Sequence, residues 1–250
     1  PYVEQQLGVD VTRIRVTERF RQPFTEGHLL GTDEYGRDQL IRLMYGGRIS
    51  LAIAFSASLM IVGIGVTLGL IAGYYGGIVD DIIMWIINTL SSMPPLFILL
   101  LVSALWAPEP EMLVVILALI GWFGTCRLVR GEVFSIKERD YVLAAKALGA
   151  SDVRLLYVHI LPNVLSPIMV SATLGIANAI ITESALSFLG LGFPPDFPTW
   201  GRLLYDATDF MQQHPQRVMW PGLAISLTVL AVNYMGDGLR DALDPRIRGL

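Results

Sequence analysis

Five stretches without an ionised side chain constrain the fold of this chain more than any other feature. They cover residues 49–79, 82–108, 112–126, 163–182 and 218–236. A helix needs about 20 apolar residues to cross the hydrocarbon core of a bilayer, and the third stretch reaches that length if the Arg127 side chain extends to the lipid surface. We therefore predict an all-α membrane protein with about five transmembrane helices, near 50–74, 82–106, 112–130, 164–189 and 218–236.

Composition supports the same class. Of the 250 residues, 53% are hydrophobic and 16% are charged, whereas charged residues make up roughly 25% of an ordinary soluble domain. The predicted surroundings are therefore the lipid bilayer. The net charge of −4 argues against nucleic acid as a partner, because surfaces that bind it are basic. A single cysteine, Cys126, excludes an internal disulfide.

Three glycines in the first span share one helix face. Gly65, Gly69 and Gly73 follow one another at four-residue intervals, and residues at that spacing lie one above the other on a helix. Small residues there let a neighbouring helix backbone approach closely in lipid. We predict that this face packs against another span.

Basic residues predict the orientation of the spans, because loops rich in Lys and Arg face the cytoplasm. In the five-span model, two spans lie between loop 127–163 and the tail 237–250, so both are on one side, with six and three basic residues. Both are predicted to be cytoplasmic. The loop lies within a transmembrane domain at 49–236, and the tail follows that domain. The segment 1–48 and the loop 190–217 then lie outside, although 1–48 contains seven arginines.

The cytoplasmic loop has the pattern of two helices joined by a bend. Good helix formers run from Glu132 to Leu148, and Gly149 follows where a helix C-terminus favours glycine. Ser151 can cap a second helix, with Asp152 in its first turn where the helix dipole favours an anion. We predict a helix, a one-glycine bend and a second helix that leads into the fourth span.

The residues of this segment resemble a known family. Ala144-Ala145, Gly149 and Leu161-Pro162 resemble the "EAA" loop of ABC-type import permeases, and 127–163 as a whole resembles the dipeptide, oligopeptide and nickel permeases. Further blocks resemble the same family in the same order: GTDEYGRD at 31–38, LMYGGRISL at 43–51, ESALSFLGLG at 183–192 and GDGLRDALDPR at 236–246. The resemblance runs over nearly all of 28–248 and is nearest to the C-type subunit, the second permease of the pair.

The resemblance implies a function and its partners. Such a subunit forms a translocation pore with a second homologous permease in the bacterial or archaeal cytoplasmic membrane. An extracytoplasmic substrate-binding protein delivers the solute, and two ATP-binding cassette subunits drive import through the docking loop, which corresponds to 140–157 here. The residues that match the docking motif are Ala144, Ala145, Lys146, Ala147, Leu148, Gly149, Ala150, Ser151 and Asp152.

The sequence departs from the family pattern in two ways. The family's glutamate position is Leu143 here, which puts in doubt any ion pair to the ATPase at that point unless Glu138 or Asp140 replaces it. The family usually has six spans, and the first has no counterpart in this chain, which indicates either a trimmed sequence or a shortened variant. The substrate stays open among dipeptides, longer peptides, nickel chelates and other small solutes.

No phosphate-binding loop is present in the sequence. The only lysines are Lys137 and Lys146, and neither follows a glycine as G-x-x-x-x-G-K-[ST] requires. We therefore predict that the chain is not an enzyme, that it holds no cofactor or metal of its own, and that ATP and Mg are bound by partner ATPases.

Glu183 is the one acid within an otherwise apolar span. Ionisable groups at membrane depth are costly and often mark a transport pathway, but near the outer end of a span such a group can instead be solvated or paired. Both interpretations stay open.

Three asparagines, each in a different span, are predicted to hydrogen-bond between helices: Asn88, Asn178 and Asn233.

A different function class is a self-sufficient channel or ion-coupled carrier. Such proteins usually place polar or ionised residues inside several spans, and this chain offers few.

The loop 190–217 is rich in proline and aromatic residues and shows no obvious helix. Either it meets the substrate-binding protein or it packs on its own subunit.

Overall fold

The computed structural model describes residues 14–25, 27–105, 109–194 and 197–243. These ranges contain helices and no β-strand, which confirms the all-α class. A short 3-10 turn at Val16–Glu18 precedes the helices. The helices are α1 (Gln39–Tyr75), α2 (Gly77–Ser91), α3 (Pro95–Leu105), α4 (Pro110–Lys137), α5 (Asp140–Ala147), α6 (Asp152–Phe188), α7 (Trp200–Thr208) and α8 (Gln216–Leu243).

Within the described residues, four helices are long and apolar enough to cross a membrane: α1, α4, α6 and α8. The helices α2 and α3 pass the same test only as a pair, and they are bent by 75° at the break between them. The count is therefore four, or five if the bent pair is one span, which agrees with the predicted number.

The second span was predicted as one helix near 82–106, and that prediction is wrong. Helix α2 ends at Ser91 and α3 begins at Pro95. Pro94 and Pro95 lack the backbone N–H that would continue the ladder, and their rings clash with the preceding turn. Proline is favoured at the first position of a new helix, so the chain restarts there in a new direction.

Several helices extend past the apolar windows that predicted them. Helix α1 begins at Gln39, before the charge-free stretch, and α6 begins at Asp152. Helix α8 continues to Leu243, past the end of the charge-free stretch at 236.

The chain divides into two compact units. One contains 1–54, 103–110 and 180–229, and the other contains 55–102, 111–179 and 230–250. We call the first the N-terminal unit and the second the coupling unit.

The glycine face of α1 packs against α4 in the coupling unit. A Cβ atom placed on Gly65, Gly69 or Gly73 would lie within 2.7–2.8 Å of the Cβ atoms of Thr125, Val129 and Val133, respectively. These distances are too short for a real side chain, so the two helix backbones approach as closely as only glycine permits. The predicted packing face is confirmed.

Around this contact the coupling unit has two apolar clusters. The smaller one joins α2 to α4 through Ile87, Trp122, Phe123 and Cys126, all buried. The larger one extends from α1 and α4 to the loop and the start of α6, and consists of Leu70, Val129, Val133, Ile136, Val142, Leu155, Leu156, Ile160, Val164 and Ile168.

In the N-terminal unit, the loop 190–217 packs against the beginning of the chain. The indole Nε1 of Trp200 donates to the carbonyl oxygen of Leu43 at 2.9 Å, and Arg217 pairs with Glu34. The expectation that this loop lacks a helix is wrong, because α7 lies within it. Thr199 caps α7 by accepting a hydrogen bond from the Arg202 backbone N–H at 3.2 Å.

The close approach of α1 and α4 predicts opposite effects of one substitution at two glycines of α1. At Gly69, alanine would lie 2.8 Å from the Cys126 carbonyl and from Val129 Cβ, and overpacking of this kind costs about 1–3 kcal/mol. At Gly63 an added Cβ meets no atom within 4 Å. We expect thermal unfolding in detergent to show Gly69→Ala destabilised and Gly63→Ala unchanged or slightly stabilised. Equal unfolding temperatures for the two variants would contradict the packing.

Candidate coupling site

The site begins with a break between α4 and α5. Helix α4 ends at Lys137, and Arg139 is extended with φ −75° and ψ 144° before α5 begins. The prediction of one helix over 132–148 is therefore wrong. Ile136 and Val142 are both buried in the larger cluster, and in a continuous helix two residues six apart would lie roughly 120° apart around the axis. The break lets both side chains enter the same core.

The bend after α5 is a glycine-terminated helix end. Gly149 has a φ of 86°, its N–H donates to Lys146 O at 3.0 Å, and the Ala150 N–H donates to Ala145 O at 3.1 Å. This pair of bonds is the Schellman motif, which requires a residue in the left-handed region and favours glycine there. The predicted one-glycine bend is confirmed.

The second helix begins as the sequence predicts. Ser151 occupies the cap position, and its side chain accepts from the Arg154 N–H at 3.4 Å. Asp152 lies in the first turn, where its carboxylate complements the helix dipole. The same carboxylate accepts a hydrogen bond from the Tyr74 hydroxyl at 2.6 Å. The last turn of α1 is thus bonded directly to the start of α6.

A π-helical turn follows within α6, at Leu155–Ile160. The Leu161 N–H reaches back five residues to Leu156 O, and Pro162 has no N–H with which to restore the ordinary ladder. The side-chain amide of Asn163 donates to the His159 carbonyl at 2.7 Å instead. Single π turns inside long helices are frequent at functional sites.

The predicted docking residues lie mostly on the outside of the coupling unit. Seven of the nine are exposed, and Leu148 is 90% exposed. Ala145 and Ala150 are half-buried and pack on the larger cluster. The exposed surface continues over neighbouring large apolar side chains, which in a loop outside the spans is typical of a protein interface: Tyr141, Leu143, Val153, Tyr157 and Val158.

Buried contacts attach this exposed segment to the spans. Val142 is 2% exposed, and Leu155 is fully buried in the larger cluster. Lys137 Nζ donates to the Gly73 carbonyl at 2.9 Å, at the C-terminus of α1 where free carbonyls and the dipole favour a cation. Sequence reasoning missed Lys137 and Tyr74. The position of Lys137 in the last turn of α4 was a usable signal for a helix-end cation, whereas nothing in the sequence pairs Tyr74 with Asp152.

Two ionised residues join α2 to α4 in the same unit. The Arg130 guanidinium binds both carboxylate oxygens of Asp80, which is 7% exposed. Arg127 Nη2 donates to Asn88 Oδ1 at 3.0 Å, which confirms an interhelical role for Asn88. The Arg127 side chain, expected to extend to the lipid surface, is exposed and reaches a neighbouring helix.

Glu183 lies in the N-terminal unit and is fully buried. Its carboxylate accepts from the Ser50 hydroxyl at 3.1 Å and from the Ser187 hydroxyl at 2.8 Å. Ser50 Oγ in turn accepts from the backbone N–H of Trp200 at 3.2 Å. These bonds join α1, α6 and the start of α7, which favours the structural interpretation, and a role for Glu183 in a transport pathway stays a prediction.

Comparison with known proteins gives relatives along most of the chain. Residues 65–249 match the family described as "Binding-protein-dependent transport system inner membrane component". Dipeptide transport system permease proteins DppC are 42% identical in Alkalihalophilus pseudofirmus, over 93% of this chain and 76% of the relative, and 43% identical in Bacillus subtilis, over 95% and 74%. The B. subtilis oligopeptide permease protein OppC is 39% identical over 91% and 74%.

Solved structures share the fold. A chain of the MetNI methionine ABC transporter in an inward-facing conformation superposes with a TM-score of 0.68 at 17% identity, over 82% of this chain and 97% of the other. By the family match and the relatives above 40% identity, this chain belongs to the inner membrane components of binding-protein-dependent transport systems, as a multi-pass permease subunit and not an enzyme.

Proposed function

We propose that the chain is the C-type permease subunit of an ATP-driven peptide importer, coupled to its ATPase through Ala144–Asp152. Its relatives are named as dipeptide and oligopeptide permeases, which favours short peptides as substrates. The remaining parts are a second homologous permease, two ATP-binding cassette subunits that bind ATP and Mg, and an extracytoplasmic substrate-binding protein, all at a bacterial cytoplasmic membrane.

The observation that carries the proposal is the exposed helix–glycine–helix segment with a buried attachment. Leu148 and Gly149 project outward at the bend, whereas Val142 on one side and Leu155 on the other are buried in the core that α1 and α4 share. A partner that binds the bend therefore acts on a segment whose movement also displaces the larger apolar cluster.

Helix α6 supplies a route from the bend into the membrane. It is one helix from Asp152 at the bend to Phe188, with the π-helical turn at Leu155–Ile160 near its start. Displacement of its first turn is therefore passed to the part of α6 that lies in the coupling unit. The hydrogen bond from Tyr74 to Asp152 links α1 to the same displacement. These contacts support rigid-body movement of spans as the response to ATPase closure.

Leu143 occupies the position of the family's glutamate, and we propose that this difference changes the chemistry of docking and not its geometry. Leu143 is 45% exposed on α5, so it faces a partner as the family's glutamate would. With Leu148 and Val153 also exposed, the surface offers apolar contact, and we propose that this ATPase interface depends on apolar burial more than on an ion pair.

The first prediction concerns the bend. In Gly149→Val the left-handed conformation is disfavoured by roughly 1–2 kcal/mol, although an added Cβ meets no atom within 4 Å. We expect peptide uptake into proteoliposomes holding the complete transporter to fall by about tenfold, the factor that ~1.4 kcal/mol represents, while ATP hydrolysis and membrane insertion persist.

The matched control is Gly131→Val, since Gly131 is exposed within α4, has no atom within 4 Å of an added Cβ and has no positive φ. Uptake by this variant should equal that of the unmodified protein. Undiminished uptake by Gly149→Val would refute the bend as the coupling element. Uptake that continues without any ATPase would favour a self-sufficient carrier.

The second prediction concerns Leu143. Because this side chain is exposed, Leu143→Glu should leave folding and membrane insertion unchanged. Because the proposed interface depends on apolar burial, the same substitution should weaken ATPase binding, measured by co-purification of the ATPase with the permease. Equal or stronger co-purification with Leu143→Glu would contradict the apolar interface and would favour the ion pair of the family pattern.

The third prediction concerns the link to α1. Tyr74→Phe removes the hydroxyl that bonds Asp152 and should cost about 0.5–1.5 kcal/mol, seen as faster hydrogen exchange over 150–157. Tyr75→Phe is the control, because the Tyr75 ring contacts Tyr74 without a bond to α6. Equal exchange rates in the two variants would exclude this link.

A further inference from the structure

A small cavity in the N-terminal unit is lined by basic and acidic side chains from α1, α7 and α8. Arg42 comes from α1, Asp206 from α7, and Arg217 and Trp220 from α8, with Asp33 from the preceding segment. The cavity volume is about 20 Å³. That room suits a single water or a monatomic ion, since one water needs roughly 10–15 Å³.

Several donors of the residues that line this cavity have no hydrogen-bond partner among the described residues. They are Nε and Nη2 of Arg42, Nη1 of Arg217 and Nε1 of Trp220. The Arg42 side chain is 3% exposed and that of Arg217 is 5% exposed. Buried donors are nearly always bonded in folded proteins, so a set of four on three residues that line one cavity indicates a bound acceptor.

The acidic side chains at the cavity do not satisfy these donors. Asp33 Oδ2 is 3.8 Å from Arg42 Nε, and Asp206 Oδ2 is 3.6 Å from Arg42 Nη2, both beyond hydrogen-bonding distance. Arg217 Nη2 binds Glu34, and Nε lies 3.0 Å from the Gln39 amide oxygen once that amide is turned so that its oxygen faces donors. Nη1 of Arg217 has no partner among the described residues.

The charge of the cluster favours an anion over water. Among the described residues, four guanidinium groups form ion pairs with three carboxylates: Arg37, Arg42, Arg202 and Arg217 with Asp33, Glu34 and Asp206. These ion pairs leave one guanidinium group without a carboxylate of its own, and a buried charge is costly unless it is paired.

We propose that the N-terminal unit binds one halide-sized monovalent anion, chloride under ordinary conditions, between Arg42, Arg217 and Trp220. The anion accepts from the two guanidinium groups and the indole N–H. It neutralises the excess charge and joins the start of α1 to the start of α8. This site is independent of the coupling segment and of the identity of the transported solute.

Bromide gives a direct test on the unmodified full-length protein. Crystals grown with bromide in place of chloride should show one anomalous peak at hydrogen-bonding distance from Arg42 and Trp220. Absence of that peak in a map that shows bromide or ordered atoms elsewhere, or a water at the same place, would overturn the proposal.

Stability in detergent gives a second test with matched variants. At constant ionic strength the unfolding temperature should rise when gluconate is replaced by chloride, because a ligand that binds only the folded state stabilises it. In Trp220→Phe, which lacks the N–H, the chloride concentration for half of this effect should rise at least about threefold. Trp85→Phe, at an exposed position of α2, should keep the original dependence.

Identical unfolding temperatures of the unmodified protein in chloride and gluconate would contradict the proposal. An equal chloride dependence in Trp220→Phe and Trp85→Phe would place the anion elsewhere and would also count against it.

Discussion

The coupling unit depends on the close approach of α1 and α4 along a row of glycines. In lipid there is little hydrophobic gain from bringing two apolar helices together, so backbone proximity and dispersion between well-fitted surfaces must supply the association. Gly65, Gly69 and Gly73 allow α1 to meet the β-branched side chains of α4 without a gap. The larger apolar cluster is built on this contact, and the loop that follows α4 is attached to that cluster.

The candidate coupling segment combines two properties that usually exclude each other. It is exposed enough to meet a partner, with Leu148 almost fully accessible, and it is attached to the spans by fully buried side chains such as Leu155. The break at Arg139 and the bend at Gly149 make this combination possible, because each reorients the chain so that successive apolar residues face the same core. A continuous helix would have turned Val142 away.

Two buried ionisable groups in the described parts of the spans have partners that lower the cost of burying them. Asp80 binds Arg130 between two helices, and Glu183 is bonded by the hydroxyls of Ser50 and Ser187. Burial of a charge without such partners would be strongly unfavourable. The cluster around Arg42 differs, because some of its donors face a cavity and not a protein acceptor, which is why it indicates a ligand.

What the sequence alone determined were properties set by a few neighbouring residues or by one element. Charge-free windows predicted the spans, four-residue spacing predicted the glycine face, and the succession of Gly149 and Ser151 predicted the bend and the cap, because each depends on local geometry or on solvent. The two prolines at 94 and 95 mark the break in the second span locally, and only the tertiary structure decided its 75° angle. The tertiary structure also decided helix α7 within the loop 190–217, the bond between Tyr74 and Asp152 across 78 residues, and the cavity beside Arg42. Those features depend on which distant surfaces meet, and in this chain that is governed by packing between helices far apart in sequence.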